Sequence, residues 1–189
     1  MWHLVDAKCH FQIFHRLPTT IMIAIGDSLP AVTLGEYNAV EGTCAIGPNQ
    51  IKVQEAAAGK TIVIFAVPGA FTPTCSAQHA PGFVALADEF KAAGVDEIWC
   101  LSVNDAFVMG AWGKDLGTAG KIRMIADGDA VFTKATGLEL NMTGRGLGLR
   151  AARYSMLVKD GVIKELNLEV GGAFKVSNAE TILAQVRGE

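Results

Sequence analysis

Apolar residues recur along this chain with helical or alternating periods, except where they run on unbroken, and the unbroken runs mark the centre of the fold. From Thr61 to Val67 the residues are Thr-Ile-Val-Ile-Phe-Ala-Val, continuous and rich in β-branched types. A strand with one face in water alternates, so this run predicts a strand covered on both faces. Asp96-Glu-Ile-Trp-Cys-Leu-Ser-Val103 reads as a second such strand and Lys121-Ile-Arg-Met-Ile-Ala126 as a third. Between the first two, Phe83, Leu86, Ala87 and Phe90 keep helical spacing up to Gly94, with Pro81 expected to bend the helix. Asn104 and Asp105 are cap-type residues ahead of a helix from Ala106 to Lys114, and a short helix from Asp129 to Ala135 ends near Gly137.

The flanking segments carry weaker patterns. From Pro30 to Lys60, three short β-like runs (Ala31–Leu34, Thr43–Ile46 and Ile51–Gln54) lie between Gly35, Gly42, Gly47 and Pro48, which predicts a hairpin region at a sheet edge. The stretch Asn141–Leu149 holds Gly144, Gly146 and Gly148 and reads as a loop; no strand precedes these glycines and no Lys-Ser/Thr follows, so they form no phosphate cradle. Ala152–Val158 and Val162–Val170 are predicted to pair across Lys159-Asp-Gly161, since Asp-Gly is a strong hairpin signal. Ser177 or Asn178 can cap a last helix with Ile182, Leu183 and Val186 inward. A β-rich entry, two βα units and a closing hairpin with a terminal helix is the order of an α/β thioredoxin-like sandwich, a central mixed β-sheet with helices on both faces.

Residues 1–21 stand apart, with three of the four histidines, little acid and no period. They are predicted to be a disordered extension, leaving residues 22–189 as a single domain that opens at Met22. His3, Cys9, His10 and His15 have residue types that suit zinc, but their spacing matches no common ligand pattern, so no metal site is expected.

Composition narrows the function classes. At 189 residues, half of them hydrophobic, the chain can bury one sizeable core. A formal net charge of -3 gives no basic footprint for nucleic acid or anionic membrane, and no apolar run approaches the ~20 residues of a membrane span. Small-molecule chemistry is left. The four cysteines, at 9, 44, 75 and 100, are irregularly spaced in a chain that needs no disulfide staples, which fits a reducing, cytoplasmic setting.

The chemistry gathers at Pro68-Gly-Ala-Phe-Thr-Pro-Thr-Cys75, where the first buried strand gives way to a turn and a helix. A thiol at a helix start meets unpaired backbone N–H groups and the positive end of the helix dipole, both of which favour thiolate, so Cys75 is the candidate nucleophile. Arg153, opening a later strand, can bring a guanidinium to the end of the central sheet where Cys75 emerges. Thr72 lies three residues before the cysteine, and its hydroxyl can both donate to and accept from a substrate oxygen. Pro68 would shield the sulfur. These parts suit attack on a weak O–O bond, with donors stabilising the leaving oxygen and Cys75 becoming a sulfenic acid.

The residues also carry a family resemblance. Pro68-x-x-x-Thr72-x-x-Cys75 resembles the active-site pattern of the peroxiredoxins. The blocks Pro68–Ser76, His79-Ala-Pro-Gly-Phe83, Ser102–Phe107, Ala111-Trp-Gly-Lys114 and Arg153-Tyr-Ser-Met156 look like the type II (atypical) branch, the glutaredoxin/glutathione-dependent one. The likeness spans roughly residues 23–189. It implies a peroxidatic Cys75 with Thr72 and Arg153 as activating partners and Pro68 as cover. It further implies reduction of hydrogen peroxide and alkyl hydroperoxides in antioxidant defence, no bound cofactor, and a homodimer with active sites near the interface.

The reductive half of the cycle is less complete. Residues 171–189 lack the late resolving cysteine of some type II members. Cys100, 25 positions after Cys75, matches a spacing seen in many glutaredoxin-linked members, yet Ile98-Trp-Cys-Leu101 reads as buried strand and resolving there would need local unfolding. Recycling of a single peroxidatic cysteine by glutathione, with or without glutaredoxin, is therefore expected, and thioredoxin-dependent recycling through Cys100 is the alternative. A peroxide-sensing module is a second reading. A thioredoxin-type disulfide reductase is a third, and it lacks the usual second cysteine because Ser76, Ala77 and Gln78 follow Cys75. His79 is expected to cap, pack or lie at an interface rather than act as a base, Trp99 and Trp112 to be core or subunit contacts, and Arg145 and Arg150 to be solvated loop charges, with flanking of the active-site mouth as the alternative.

Overall fold

A computed structural model describes residues 22–37 and 48–189. The expected extension over residues 1–21, the run Thr43–Ile46, and the residues Cys9 and Cys44 lie outside that range.

The central run forms β3 (Thr61–Ala66), and it is apolar throughout because both of its faces are packed. Ile62, Ile64 and Ala66 enter one core with Trp99, Leu101 and Ile125, whereas Val63 and Phe65 enter another with Cys75, Cys100 and Met124. β3 runs parallel to β4 (Glu97–Ser102), which runs parallel to β5 (Arg123–Ala126). On its other side β3 pairs antiparallel with β8 (Tyr154–Lys159), and β8 with β9 (Val162–Leu168). β1 (Thr33–Glu36) and β2 (Asn49–Lys52) form the antiparallel hairpin expected at the far edge. The seven-stranded order is β2-β1-β5-β4-β3-β8-β9, a mixed sheet as predicted.

Helices cover both faces. α1 (Val53–Ala57) and α5 (Val131–Thr136) lie over the Ile64 side, through Val53, Ala57 and Phe132. α2 (Ala80–Ala85), α3 (Ala87–Ala92), α4 (Ala106–Leu116) and α6 (Ala179–Arg187) cover the Phe65 side. Asp105 caps α4 by accepting from the Val108 N–H at 2.9 Å, and Asn178 rather than Ser177 caps α6 by accepting from Thr181 at 2.8 Å. Asp160 and Gly161 both take positive φ, 49° and 73°, the paired left-handed conformation that a two-residue hairpin between right-twisted strands demands.

Four expectations are corrected. The run Ile51–Gln54 is strand only to Lys52, and Val53 and Gln54 begin α1, where Val53 is buried. The run stays helical through Pro81, which follows directly on the wide turn Cys75–His79, and the break falls instead at Leu86, whose backbone leaves helical values (φ -96°, ψ 8°). The glycine-rich segment is a loop only at its tip, since β6 (Glu139–Met142) and β7 (Gly148–Ala151) pair on either side of it. Arg153 lies in the link between β7 and β8 rather than within the strand.

Phe83 is the keystone of the helix-covered core. Its fully buried ring stacks on Phe65 with centroids 4.0 Å apart and on Phe90 at 5.7 Å. Truncation removes both stacks and leaves a cavity directly beneath the segment that carries Cys75. Phe83→Ala is expected to cost about 3–5 kcal/mol in urea unfolding, whereas Phe107→Ala, whose ring is exposed, should stay within about 0.5 kcal/mol.

Candidate active site

The candidate site lies beyond the carboxyl ends of the parallel strands β3, β4 and β5. β3 hands the chain to half-buried Pro68, and the turn that follows is held from below by β4's continuation. There the Asn104 side-chain oxygen accepts from the Ala70 N–H at 3.0 Å and from the Ser102 hydroxyl at 2.8 Å. Within the turn, the Thr72 hydroxyl donates to the Gly69 carbonyl at 2.7 Å, leaving its oxygen lone pairs free to accept. Gly69 is packed so closely that a Cβ there would lie 3.1 Å from the Thr72 methyl and 3.5 Å from an Arg150 nitrogen. Phe71 takes φ 57°, a conformation that a bulky residue adopts only under constraint, and its exposed ring tilts toward Trp112.

The helix that carries Cys75 starts tightly and then widens. The Ser76 N–H donates to the Thr72 carbonyl, an ordinary helical bond, but the Ala80 N–H donates to the Cys75 carbonyl five residues back. Cys75–His79 is thus one wide helical turn, a form frequent at functional sites. Trp112 of α4 donates its indole N–H to the Ser76 hydroxyl at 3.1 Å and steadies the residue next to the cysteine.

Cys75 is 1% exposed, and Arg153, 5% exposed, places its Nη1 3.5 Å from the sulfur. Two residues 78 positions apart meet because β8 lies beside β3 in the sheet. The same Nη1 lies 3.1 Å from His79 Nδ1, and His79 Nε2 lies 2.9 Å from the Ser177 carbonyl. A guanidinium only donates and a carbonyl only accepts, so Nδ1 must be the bare nitrogen and Nε2 must carry the proton. His79 is therefore neutral. Its pKa is lowered to about 3, first by burial and then by the neighbouring Arg153 charge, against opposing contributions from the Ser177 bond and Glu169. The Phe174 ring closes the far side, 5.7 Å from the Arg153 guanidinium carbon and 5.0 Å from the His79 ring.

The structure thus brings Cys75 and Arg153 together, with Pro68 and Thr72 in the adjoining turn. Cys100 is fully buried on β4 in the same core as Cys75, and its pKa is pushed up by burial and further by the Cys75 charge, so it is a poor thiolate where it stands. Trp99 and Trp112 are fully buried, as expected. Arg145 is exposed on the hairpin tip, but Arg150 is not the solvated charge expected. It donates to the Leu147 carbonyl at 2.8 Å and the Val103 carbonyl at 3.1 Å beside Gly69, so it braces the active-site turn. His79 was legible only as a packing residue, and its link to Arg153 crosses 74 positions that no local pattern reports. Asn104 was legible only as a cap.

Among the described residues no group of His, Cys, Asp and Glu could hold a metal ion, and no helix is long and apolar enough to cross a membrane. Residues 24–183 match the family model described as Redoxin. Peroxiredoxin-2E, chloroplastic, of Arabidopsis thaliana is 48% identical over 180 residues, covering 94% of this chain and 75% of its relative. Peroxiredoxin-2C of Oryza sativa subsp. japonica is 45% identical, covering 85% and 96%. The crystal structure of reduced Prx3 from Vibrio vulnificus in complex with hydrogen peroxide superposes with a TM-score of 0.81 at 53% identity, covering 87% of this chain and 99% of that one.

The neutral state of His79 makes stability depend on pH. Its folded pKa of about 3 lies below the ordinary value of 6.5, so between these two the unfolded chain binds the extra proton. Stability is fully present above pH 6.5 and falls as pH drops toward 3, by at most about 1.4 kcal/mol per pH unit from this group. Urea midpoints for the wild type and His79→Gln should converge as pH falls through this window. Parallel pH profiles would mean His79 is not buried in its neutral form.

Proposed function

Since this chain belongs to the Redoxin family, and within it to the peroxiredoxins, which are thiol peroxidases, we propose that Cys75 is its peroxidatic residue and Arg153, Thr72 and Pro68 its immediate partners. The observation that carries this reading is the Arg153 Nη1 held 3.5 Å from Cys75 Sγ in a nearly water-free site. In the reaction, the Cys75 thiolate attacks one peroxide oxygen. The S–O bond forms as the O–O bond breaks, sulfur is oxidised to sulfenic acid, and the leaving oxygen departs as hydroxide or alkoxide and takes up a proton. Arg153 offers fixed charge to both ends of that displacement. Thr72 accepts a hydrogen bond from the incoming peroxide, because its own proton is committed to Gly69.

For the return half, glutathione condenses with the sulfenic acid to give a mixed disulfide and water, and a second thiol, of glutathione or glutaredoxin, releases Cys75. No bound cofactor is required. The burial of Cys100 supports a route that does not pass through it, although local opening of β4 would let it resolve and hand the oxidised pair to thioredoxin. Free thiols at Cys75 and Cys100 suit a reducing, cytoplasm-like compartment. The exposed rings of Phe107 on α4 and of Phe71 next to it suit a homodimer face close to the active site.

Cys75→Ser should abolish hydrogen peroxide consumption with glutathione and glutaredoxin. Arg153→Ala should lower the second-order rate by about 10²-fold or more, and Cys100→Ser should retain activity with glutathione. Full turnover in Cys75→Ser would end this reading. Loss of turnover in Cys100→Ser, with thioredoxin the better reductant for the wild type, would favour the resolving route instead. Oxidation that stops at one equivalent with every thiol system would favour a peroxide sensor.

A further inference from the structure

We propose that Glu169 is a positioning residue for the reaction, acting through Ser177 and His79 to hold Arg153 on the Cys75 sulfur. This rests on the reading of Cys75 as the nucleophile.

Glu169 follows β9 directly and is buried at 6% exposure, which is uncommon for a carboxylate. One of its oxygens, Oε1, accepts four bonds from the segment that follows: the N–H groups of Lys175, Val176 and Ser177 at 2.6, 2.7 and 2.9 Å, and the Ser177 hydroxyl at 3.0 Å. Burial alone would raise the Glu169 pKa, but these bonds outweigh it and hold the group as carboxylate. Its own N–H donates to the Arg153 carbonyl at 2.9 Å, which ties Glu169 to the backbone of the arginine as well.

What the carboxylate holds is the lid of the site. Val170, Gly171 and Gly172 are exposed, Gly171 takes a positive φ, and within the segment the main chain closes on itself through the Ala173 N–H on the Val170 carbonyl at 3.3 Å. Such a segment has little order of its own. Yet it supplies Phe174, which covers Arg153, and the Ser177 carbonyl, which accepts a hydrogen bond from His79 Nε2–H. That carbonyl fixes which imidazole nitrogen is bare, and the bare nitrogen fixes Arg153 Nη1 between His79 and Cys75. A carboxylate that merely stabilised the fold would need no such continuous chain of donors and acceptors ending on the nucleophile.

The test compares wild type, Glu169→Ala, Glu169→Asp and Glu169→Gln in three measurements. These are the second-order rate with hydrogen peroxide, the rate of Cys75 alkylation by iodoacetamide read by mass spectrometry, and the nitrogen-15 shifts of His79. Glu169→Ala should stay folded and lose about tenfold or more in both rates, while His79 changes from one fixed tautomer to an exchanging pair. Glu169→Gln, whose amide oxygen can accept the same four bonds, should restore the single tautomer and come within about threefold of the wild-type rates. If Glu169→Ala does not fold, Glu169→Asp, whose carboxylate is withdrawn by one methylene, should show the same losses in smaller measure. A folded Glu169→Ala or Glu169→Asp that keeps both rates and the single His79 tautomer overturns the proposal. Should the wild type consume no peroxide, the peroxidase reading fails, while alkylation and the His79 shifts still decide the role of Glu169.

Discussion

The site depends on one nitrogen. Arg153 Nη1 faces both Cys75 and His79, and it can do so only if His79 offers a lone pair rather than a proton. A guanidinium swings on a long side chain with about 2 kcal/mol of rotamer entropy, so its direction has to be set by partners. Here they are the imidazole, the Phe174 face and the buried wall of the sheet. A lysine could supply the charge but not a flat guanidinium to lie over the Phe174 ring.

The fold makes this nitrogen possible by bringing distant segments to one edge. The parallel strands β3 and β4 end together, and their continuations are stitched by Asn104 and Ser102. β8, antiparallel to β3, starts at that same end, so the residue just before it arrives where β3 leaves off. The long apolar run of β3 therefore serves the chemistry indirectly. Being packed on both faces, it cannot slip by one residue without exchanging its two sets of side chains, and Cys75 and Arg153 keep their register.

Much of the fold was legible because its signals are local. The continuous runs at Thr61–Val67 and Asp96–Val103, the Asp160-Gly161 turn and the capping residues Asp105 and Asn178 each carry their meaning within a few residues. The break expected at Pro81 falls at Leu86 instead, because the wide turn just before the proline accommodates its missing N–H and the run stays helical through it. The short pair β6 and β7 was missed because a few ladder bonds outside a glycine-rich tip leave no apolar period to read. At the site, Pro68, Thr72 and Cys75 share one turn and could be read together, and Arg153 was reachable from its chemistry. His79, Glu169 and Ser177 were not, since their significance lies in bonds across 74 and 98 positions and in a loop whose order comes from a side chain.

That loop bears on how the oxidised enzyme is reset. In the proposed cycle a sulfenic acid at Cys75 would lie on a sulfur that is 1% exposed, out of reach of an external thiol unless some part of the cover moves. The segment after Glu169 closes on its own main chain only through the Ala173 N–H on the Val170 carbonyl and is otherwise held by the Glu169 side chain. Lifting the segment would withdraw Phe174 and the Ser177 carbonyl together, freeing His79 to take a proton and releasing Arg153 from the sulfur. In the proposed cycle the closed, bonded segment would serve attack on peroxide, and its opening would admit the returning thiol. A carboxylate bonded to three consecutive backbone N–H groups ties the closure of that segment to one side chain, so those bonds are lost or regained as a set.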